Sequence, residues 1–473
     1  MLTVVKCPAW CQINLKSSDL DDIVWLQKLL TIKIKGYNPR LQRPCEREMH
    51  LLSRRSNTFP AGLFGLVESS AAKNGIELDI VNKCPETPPT VPLPESCSYL
   101  YDYQAEAVET ALERKTGIIK LPTAAGKTSC AVGFVLRANC RAAFLVDEVG
   151  LLQQASDRWK IVTGEDVGTW DSPTSNFIPI TLQTLKSKLE QKDKAAIEFA
   201  NSVQAVVVDE CHILGARTYY RTVQSFRNTV YRLGLSATPV GRSDSKDALV
   251  IGALGPIIYE KSVEDLQNYG RLAKGTAIFY DYPGWVPVEL GLKWHAVYKA
   301  GVVFNEARNR AIVRVCKITP KPILCFFEQK LHGFVLLDML RKAGISCDIV
   351  HGAHDSTARE QAKIVLAKGE IEVLLCSRIF NKGQDIPEVR SAVNAAGYKA
   401  FIMSVQKPGR TMRTAKGKDK FVYWDFVDRC YESLLEQSRD RATTYTETMH
   451  LEVVTSLESA VEILQKEGLI KEV

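Results

Sequence analysis

A chain of 473 residues is long enough for about three domains of ordinary size. Its 45% hydrophobic and 24% charged residues are typical of a globular protein and exclude fibrous and disordered classes. The net charge of +7 allows a nucleic-acid partner without requiring one. No apolar run is long enough to span a membrane and the N-terminus carries no secretion signal, so we expect a cytoplasmic protein with no membrane partner.

Residues 1–83 combine short strand-like runs with basic side chains and predict a small α+β domain. Two of these runs cover residues 23–26 and 29–34. The basic side chains that follow are Arg40, Arg43, Arg47, Arg54 and Arg55. Such a cluster is typical of a nucleic-acid-binding module, where arginine contacts phosphates, and equally of a solvated face on a small domain. Both interpretations stay open for this part of the chain.

The 13 cysteines are odd in number and scattered, and many lie in apolar runs. This distribution predicts reduced, buried thiols of the kind found in a cytosol. Cys7 and Cys11 form half of a zinc pattern, with Cys45 and His50 as the only nearby candidates for the other half. A zinc site is therefore the weaker alternative.

Closely spaced prolines in residues 84–97 predict an extended, semi-rigid linker, because proline cannot continue a helix. Beyond it, strand-like runs alternate with helical patterns, which predicts parallel sheets covered by helices. One series of runs covers 118–121, 142–146, 177–182, 205–208 and 233–236; a second covers 277–282, 323–327, 347–351, 373–377, 391–395 and 421–426. We expect two tandem α/β domains at 98–258 and 259–440. Residues 428–473 look helical, with a polar break at 441–446, and we assign 441–473 to a C-terminal helical tail.

The segment 121–128 lies between a predicted strand and a predicted helix and reads Leu-Pro-Thr-Ala-Ala-Gly-Lys-Thr. A tight loop at this position directs backbone N–H groups and the positive end of the helix dipole at one point, which suits a phosphate. Lys127 can reach the outer phosphates of ATP and the Thr128 hydroxyl can ligate Mg²⁺. The residues expected to surround the phosphates are Pro122, Thr123, Ala124, Ala125 and Gly126.

The run 205–208 is followed by Asp209-Glu-Cys-His. Ligands of a parallel sheet bind at the carboxyl ends of its strands. Asp209 is therefore expected to hold Mg²⁺ together with Thr128, and Glu210 to orient and deprotonate the attacking water. The next strand ends in Leu235-Ser-Ala-Thr-Pro, where Ser236 and Thr238 are small hydroxylated residues beside the same edge.

In this order the three motifs resemble motifs I, II and III of superfamily 2 helicases, whose fold is two tandem RecA-like domains. Further motifs then follow over residues 98–440. Tyr101-Asp-Tyr-Gln resembles the family element whose glutamine reads adenine, here Gln104. Residues 144–153 resemble motif Ia and residues 180–184 resemble motif Ib, in which Thr181 and Gln183 would contact nucleic acid. Residues 350–352 with Arg359 resemble the family's His-Gly…Arg element, which implies that His351 and Arg359 also contact nucleic acid.

The resemblance continues with motif V at 381–387, where Gly383 implies coupling and Asp385 a ribose contact, and with motif VI at 406–413. Gln406, Arg410 and Arg413 match motif VI, and an inserted arginine stabilises a γ-phosphate in transit by roughly 10³–10⁵ in rate. These arginines would meet the phosphate loop only when the two domains close. Asp147 and Glu148 depart from the pattern by placing negative charge in motif Ia, and Lys407 stands where many relatives have arginine.

Within the superfamily the chain looks most like phage UvsW-type and XPB-like DNA helicases. The resemblance implies ATP and Mg²⁺ as cofactors and a monomer that unwinds or branch-migrates single-stranded or branched DNA, moving 3′→5′, in recombination, replication or repair. The location would be the host cytoplasm for a phage-encoded chain. Alternatives are an RNA helicase, a double-strand translocase of a restriction or defence system, and a nucleic-acid-binding protein with an inactive ATP fold.

Overall fold

The computed structural model describes residues 1–38, 43–93, 99–241, 244–289, 291–377, 386, 388–397, 418, 420–448, 451–466 and 468–470. Contacts divide the chain into two units: Met1–Leu121 with Gly126–Lys261, and Pro122–Ala125 with Ser262–Val473. No helix in the described part of the chain is both long and apolar enough to cross a membrane.

The first unit begins with a small α+β module. Its elements are β1 Leu2–Lys6, β2 Trp10–Ile13, α1 Leu20–Leu29, β3 Thr31–Asn38, β4 Arg43–His50, β5 Thr58–Pro60, a 3₁₀ turn Ala61–Leu63, α2 Phe64–Lys73 and β6 Leu78–Asn82. One sheet has the order β5-β2-β1-β6, with β1 and β6 parallel, and β3 and β4 form a separate antiparallel hairpin. The strand-like interpretation of residues 23–26 is wrong, since they lie within α1. Acidic side chains in the first turn and Lys28 in the last turn favour that helix.

The first α/β domain carries a six-stranded, all-parallel sheet. Its strands are β7 Thr116–Lys120, β8 Ala142–Val146, β11 Phe177–Thr181, β12 Ala205–Asp209, β13 Tyr231–Ser236 and β14 Ile257–Glu260, in the order β11-β8-β12-β13-β7-β14; β9 Gly168–Thr169 and β10 Ser172–Pro173 pair separately. Its helices are α3 Asp102–Arg114, α4 Lys127–Ala138, α5 Val149–Thr163, α6 Leu182–Glu190, α7 Lys194–Ser202, α8 Arg217–Gln224 and α9 Asp247–Leu254. A 3₁₀ turn covers Cys211–Gly215.

The second unit carries a seven-stranded parallel sheet. Its strands are β15 Lys274–Tyr280, β16 Ile323–Phe326, β17 Cys347–Val350, β18 Val373–Cys376, β19 Ser391–Asn394, β20 Lys420–Phe426 and β21 Glu452–Val454, in the order β17-β18-β16-β19-β20-β15-β21. Its helices are α10 Val263–Asn268, α11 Trp294–Tyr298, α12 Glu306–Ile318, α13 Lys330–Lys342, α14 Ser356–Ala367, α15 Glu432–Thr443 and α16 Leu457–Lys466, with π-helical turns at Lys299–Val303 and Thr444–Thr448.

The predicted α/β class with two RecA-like parallel-sheet domains and a small N-terminal α+β domain is confirmed. Each run predicted in the two series coincides with a strand. Their apolar character follows from burial on both faces, as in β12, where all five residues are buried. The C-terminal stretch differs from its prediction. The helix α15 runs through the first part of the predicted break at 441–446, and β21 replaces part of the predicted helix by pairing with β15.

The N-terminal module packs closely against α9 through glycine. A Cβ atom added to Gly62 would lie 2.1 Å from the carbonyl oxygen of Ile251 and 2.6 Å from the amide nitrogen of Gly255. On the facing side, a Cβ atom added to Gly252 would lie 2.9 Å from Pro60. Backbone therefore meets backbone at this contact, and a side chain on either glycine would separate the two surfaces.

The described part of the proline-rich linker, residues 84–93, lies along the first α/β domain as a strap. The amide of Val91 donates to the carbonyl of Arg137 at 2.9 Å, and the Arg137 guanidinium donates back to the Val91 carbonyl at 2.5 Å. Lys115 Nζ donates to Thr87 Oγ1 at 2.6 Å. These bonds fix the strap at two points along its length.

The twelve cysteines that the structure describes are free thiols, and nine of them are buried: Cys11, Cys130, Cys140, Cys211, Cys316, Cys325, Cys347, Cys376 and Cys430. Burial raises the pKa of several of these thiols, Cys130 to about 12. Within the described ranges no group of three or more histidine, cysteine or acidic side chains could hold a metal ion. The zinc alternative thus has no ligand set there.

Candidate active site

The loop between β7 and α4 has the backbone form of a phosphate site. Ala124 (φ +68°) and Gly126 (φ +76°) both adopt left-handed conformations, and Gly126 is the residue that precedes the first turn of α4. The amide of Leu121 donates to the carbonyl of Ser236 at 3.1 Å, which fixes the start of the loop on β13. The loop therefore ends at a helix N-terminus, where free backbone N–H groups and the helix dipole favour an anion.

Gln104 lies directly against this loop. Its side chain is 3% exposed, its Oε1 accepts from the amide of Tyr101 at 3.1 Å, and its Nε2 donates to the Tyr103 hydroxyl at 3.3 Å. A Cβ atom added to Gly126 would lie 2.4 Å from Gln104 Nε2. The glutamine that the sequence assigns to adenine thus caps α3 and also limits residue 126 to glycine.

Lys127 and the two acidic residues at the end of β12 converge. Lys127 Nζ lies 3.6 Å from Glu210 Oε1, and both side chains are largely buried. Asp209 is 5% exposed; burial, together with the Glu210 charge, raises its pKa to about 6, against the opposing effect of Lys127. Glu210 has φ +48°, an uncommon conformation for this residue type that is frequent at functional sites.

These residues fit a magnesium nucleotide. Two adjacent carboxylates, one of them buried, form a site that favours a cation. The buried Thr123 Oγ1 has no hydrogen-bond partner among the described residues, and so it is available to a phosphate oxygen. Lys127 and Thr128 open α4 at the same N-terminus. Together these features supply cationic, hydroxyl and amide donors for phosphates and carboxylates for a metal ion.

Ser236 connects the acidic pair to the end of β13. It is fully buried, and its Oγ lies 3.3 Å from both Glu210 Oε2 and His212 Nδ1 and accepts from the amide of Thr238 at 3.1 Å. Ser236 therefore lies beside Glu210, and Thr238 is bonded to Ser236. The sequence interpretation gave no role to His212, although it is the last residue of Asp-Glu-Cys-His.

Arg158 is a second residue that the sequence interpretation missed. Its Nε donates to Ser129 Oγ at 3.1 Å, and its guanidinium lies 4.4 Å from the centre of the Tyr99 ring. It thereby joins the residue after Thr128 to the segment that precedes α3. No local pattern in α5 marks Arg158, because its partners lie on other elements of the fold.

Thr181 and Gln183, the candidates for nucleic-acid contact in the first unit, lie at the start of α6. Thr181 is 6% exposed, and its Oγ1 accepts from the amide of Thr184 at 3.1 Å as the cap of that helix. The Gln183 side chain is exposed and accepts from the Tyr219 hydroxyl at 3.4 Å. Of the two, Gln183 is the one that presents its side chain to solvent.

His351 and Arg359, the candidates in the second unit, lie on either side of His354. The rings of His351 and His354 have centroids 4.3 Å apart, and Arg359 Nη2 donates to the carbonyl of His354 at 2.6 Å. Partial burial, then His354 and Lys330, lowers the pKa of His351. The site residues Gly383, Asp385, Gln406, Arg410 and Arg413 lie outside the described residues, as do Arg40 and Lys407.

A phosphate loop on one parallel sheet, an Asp-Glu pair two strands away and a second parallel-sheet unit define a P-loop enzyme with two RecA-like domains. Two family models match the chain: "Type III restriction enzyme, res subunit" over residues 98–241 and "Helicase conserved C-terminal domain" over residues 307–415. The chain belongs to the superfamily 2 helicases, which are ATP-dependent enzymes.

Two relatives and one solved structure illustrate the similarity. The chain is 28% identical to the DNA 3'-5' translocase XPB2 of Sulfurisphaera tokodaii, over 73% of this chain and 84% of that protein. It is 23% identical to the ATP-dependent DNA helicase uvsW of Enterobacteria phage T4, over 69% of this chain and 68% of that protein. Among solved structures, S. cerevisiae Dbp5 bound to RNA and ADP BeF3 shares the fold with a TM-score of 0.55 at 16% identity, over 77% of this chain and 93% of that chain.

Proposed function

We propose that this protein is a DNA helicase or translocase that couples ATP hydrolysis to unwinding or branch migration of DNA. The observation that carries the proposal is the contact between Lys127 and Glu210 at the phosphate loop, with Ser236 joining Glu210 to the next strand. DNA as the substrate is supported by the names of the two relatives. Movement in the 3′→5′ direction and a role in recombination, replication or repair rest on the same relatives and belong to the proposal.

In this proposal the nucleotide supplies a phosphoanhydride whose hydrolysis releases the free energy for movement. Lys127 and the loop 122–126 hold its phosphates, and Thr128 and Asp209 hold Mg²⁺. Glu210 accepts a proton from the attacking water, and its contact with Lys127 orients it. Gln104 recognises adenine and Asp385 the ribose. Gln406, Arg410 and Arg413 add the charge that stabilises the departing phosphoryl group.

We further propose that DNA is bound mainly through its phosphates. Gln183 and the cap at Thr181 contact the strand from the first unit, and His351 and Arg359 contact it from the second. Contacts of this kind carry little sequence information and weaken steeply with salt. Ser236, Thr238 and Gly383 couple the state of the bound nucleotide to the binding of the DNA strand. We also propose that the N-terminal module, residues 1–83, is an additional DNA-binding element.

Two alternatives keep specific support. An RNA helicase would have the same fold, because Dbp5, whose solved structure contains RNA, also has it. A double-strand translocase of a restriction system would agree with the name of the first family model. Both would use the same ATP site, so they differ from the main proposal only in the polymer that stimulates hydrolysis.

The test compares Lys127→Ala with a matched variant, Lys120→Ala, which removes the lysine that ends β7 and whose ion-pair partner is Glu260. We expect Lys127→Ala to abolish DNA-stimulated ATP turnover and to leave DNA binding, measured by fluorescence anisotropy, within a small factor of wild type. Lys120→Ala should retain both activities. ATP turnover that persists in Lys127→Ala would rule the proposed site out.

The substrate is tested on a panel of single-stranded, forked, four-way and duplex DNA and on matched RNA. Greater stimulation of ATP turnover by branched DNA, together with strand displacement of forks, supports the main proposal. Stimulation by RNA alone would establish the first alternative. Stimulation by long duplex without strand displacement would establish the second.

A further inference from the structure

A buried cluster of charged and polar side chains lies in the second unit where the chain leaves β19. Three successive carbonyl oxygens there accept hydrogen bonds from side chains: Ala395 from Arg308 Nη1 at 2.6 Å, Ala396 from the Tyr298 hydroxyl at 2.5 Å, and Gly397 from Arg441 Nη1 at 3.1 Å. The donors come from α12, α11 and α15 and are 3% exposed or less. We call these three side chains the exit clamp.

Two aspartates, Asp425 in β20 and Asp428 just beyond it, orient the guanidinium groups of the clamp. Arg308 Nε donates to Asp428 Oδ1 at 2.7 Å, and Arg441 donates to both oxygens of Asp425, at 2.9 and 3.0 Å. Each arginine therefore spans from a carboxylate on β20 or just beyond it to a carbonyl just beyond β19. Only a planar, forked side chain makes both connections at once.

Gly397 fits this environment because it has no side chain. Its φ is +60°, and an added Cβ atom would lie 3.1 Å from both Arg308 Nη2 and Asp428 Oδ2. Those two atoms are buried and have no hydrogen-bond partner in the part of the chain that the structure describes. Any side chain at residue 397 would thus press on the charged groups that hold the chain.

Burial of four charged groups is an inefficient way to gain stability, since well-packed apolar side chains often do as well or better. What such a cluster does provide is a unique position for the groups it binds. Here the bound groups are backbone carbonyls at the point from which the chain continues to Gln406, Arg410 and Arg413. The cluster therefore fixes the backbone at residues 395–397, the last described residues before that part of the chain.

We propose that Tyr298, Arg308 and Arg441 are positioning residues for ATP hydrolysis: they act on the rate of the hydrolytic step through the exit of β19 and do not touch nucleotide or DNA. The inference rests on the proposed function, in which Arg410 and Arg413 stabilise the departing phosphoryl group. A displacement of about 1 Å of a group that acts on the reacting atoms costs roughly 10²-fold in rate. Loss of the clamp should accordingly lower kcat and leave the affinities for ATP and DNA intact.

The mildest variant is Tyr298→Phe, which removes only the hydroxyl bonded to Ala396. Its control is Tyr445→Phe, which removes an equally buried hydroxyl from the same cluster; that hydroxyl donates to Asp425 at 2.6 Å and touches none of the three carbonyls. Gly397→Ala stresses the clamp without removing a charge. Arg441→Lys keeps the charge and loses the fork, so a purely structural need for a buried cation would be met by lysine.

We expect Tyr298→Phe, Gly397→Ala and Arg441→Lys to lower DNA-stimulated kcat by roughly ten- to a hundredfold, with KM for ATP and DNA affinity within about twofold of wild type. Tyr445→Phe should keep wild-type kcat. Circular dichroism and thermal unfolding identify the variants that are folded at the assay temperature. Wild-type kcat in folded Tyr298→Phe and Gly397→Ala, or an equal loss in Tyr445→Phe, overturns this inference alone. If ATP turnover does not depend on Lys127, the proposed function and this inference fail together.

Discussion

Replacement of Gly126 by alanine tests the phosphate loop at its most constrained residue. With φ at +76°, the residue holds a left-handed conformation that costs an L-residue about 1–2 kcal/mol. The new methyl group would also lie 2.4 Å from Gln104 Nε2, so that Gln104 must move away from the cap of α3. A lost helix cap costs roughly 0.5–2 kcal/mol, so the two effects together amount to about 1.5–4 kcal/mol.

The loop relieves this cost by relaxing out of its phosphate-binding form. Because each 1.4 kcal/mol is about a factor of ten in affinity, relaxation would weaken ATP binding by roughly ten- to a thousandfold. Isothermal titration with a non-hydrolysable ATP analogue measures the affinity, and thermal unfolding measures the stability. We expect Gly126→Ala to lose affinity by at least the lower of these factors.

The matched control is Gly164→Ala at the end of α5. Gly164 has almost the same φ, +77°, but an added Cβ atom there would have no neighbour within 4 Å. The Gly164→Ala variant should be destabilised only by backbone strain and should bind ATP normally. A double-mutant cycle with Gln104→Ala separates the two parts of the cost, since the contact with Nε2 disappears in that background. Normal ATP affinity in Gly126→Ala, or no coupling to Gln104, would refute the reasoning.

Three further predictions concern docking, pH and metal. Gly62→Ala should destabilise the first unit by about 1–3 kcal/mol in thermal unfolding, because the Cβ atom meets the Ile251 carbonyl at 2.1 Å. His332 is buried with a pKa lowered to about 3, from 6.5, chiefly by burial. Its neutral form favours the folded state, so stability should fall as the pH drops below 6.5, by about 2 kcal/mol at pH 5, as measured by hydrogen exchange of α13 amides. Chelation of divalent cations should abolish ATP turnover and leave DNA binding intact, and added Mg²⁺ should restore turnover.

Each of these three predictions has its own control. Gly65→Ala adds the same methyl group in the next helix, where nothing lies within 4 Å, and should not destabilise the protein. His332→Gln removes the titrating ring; the same loss of protection toward pH 5 in that variant would mean that another group is responsible. Turnover that survives complete chelation would contradict the assignment of Asp209 and Thr128 to a metal ion.

The sheets were predictable because their strands are buried on both faces. The run 205–208 contains no polar residue and matches β12 within one residue. Short amphipathic segments lack this signal. Residues 23–26 are four apolar or aromatic residues that fit a strand or a helix turn equally well, and only packing of Ile23 and Leu26 in the module core decides for α1. The three-residue β21 exists because β15 offers it a free edge, a fact that no local pattern contains.

The candidate site was predictable in its residue types and order, and less so in its contacts. Lys127 and Glu210 are far apart in sequence, and they meet because β7 and β12 both flank β13 in the sheet. The same neighbour relation places Ser236 beside Glu210 and His212. Strand order is set by how the whole domain packs, so the sequence indicates candidate site residues without indicating which of them touch. Buried groups such as Arg308 and Arg441 have no motif that distinguishes them from surface arginines.

The close contact between Gly62 and α9 and the strap over residues 84–93 have a consequence for how such proteins diversify. A module that meets its neighbour backbone to backbone cannot be exchanged for another fold by recombination at the linker alone, because the facing helix must change with it. The bonds at Val91 and Thr87 also resist insertions in the strap, which would displace one or the other. Relatives that keep this contact should therefore change Pro60, Gly62 and α9 together, while parts of the module away from the contact vary independently.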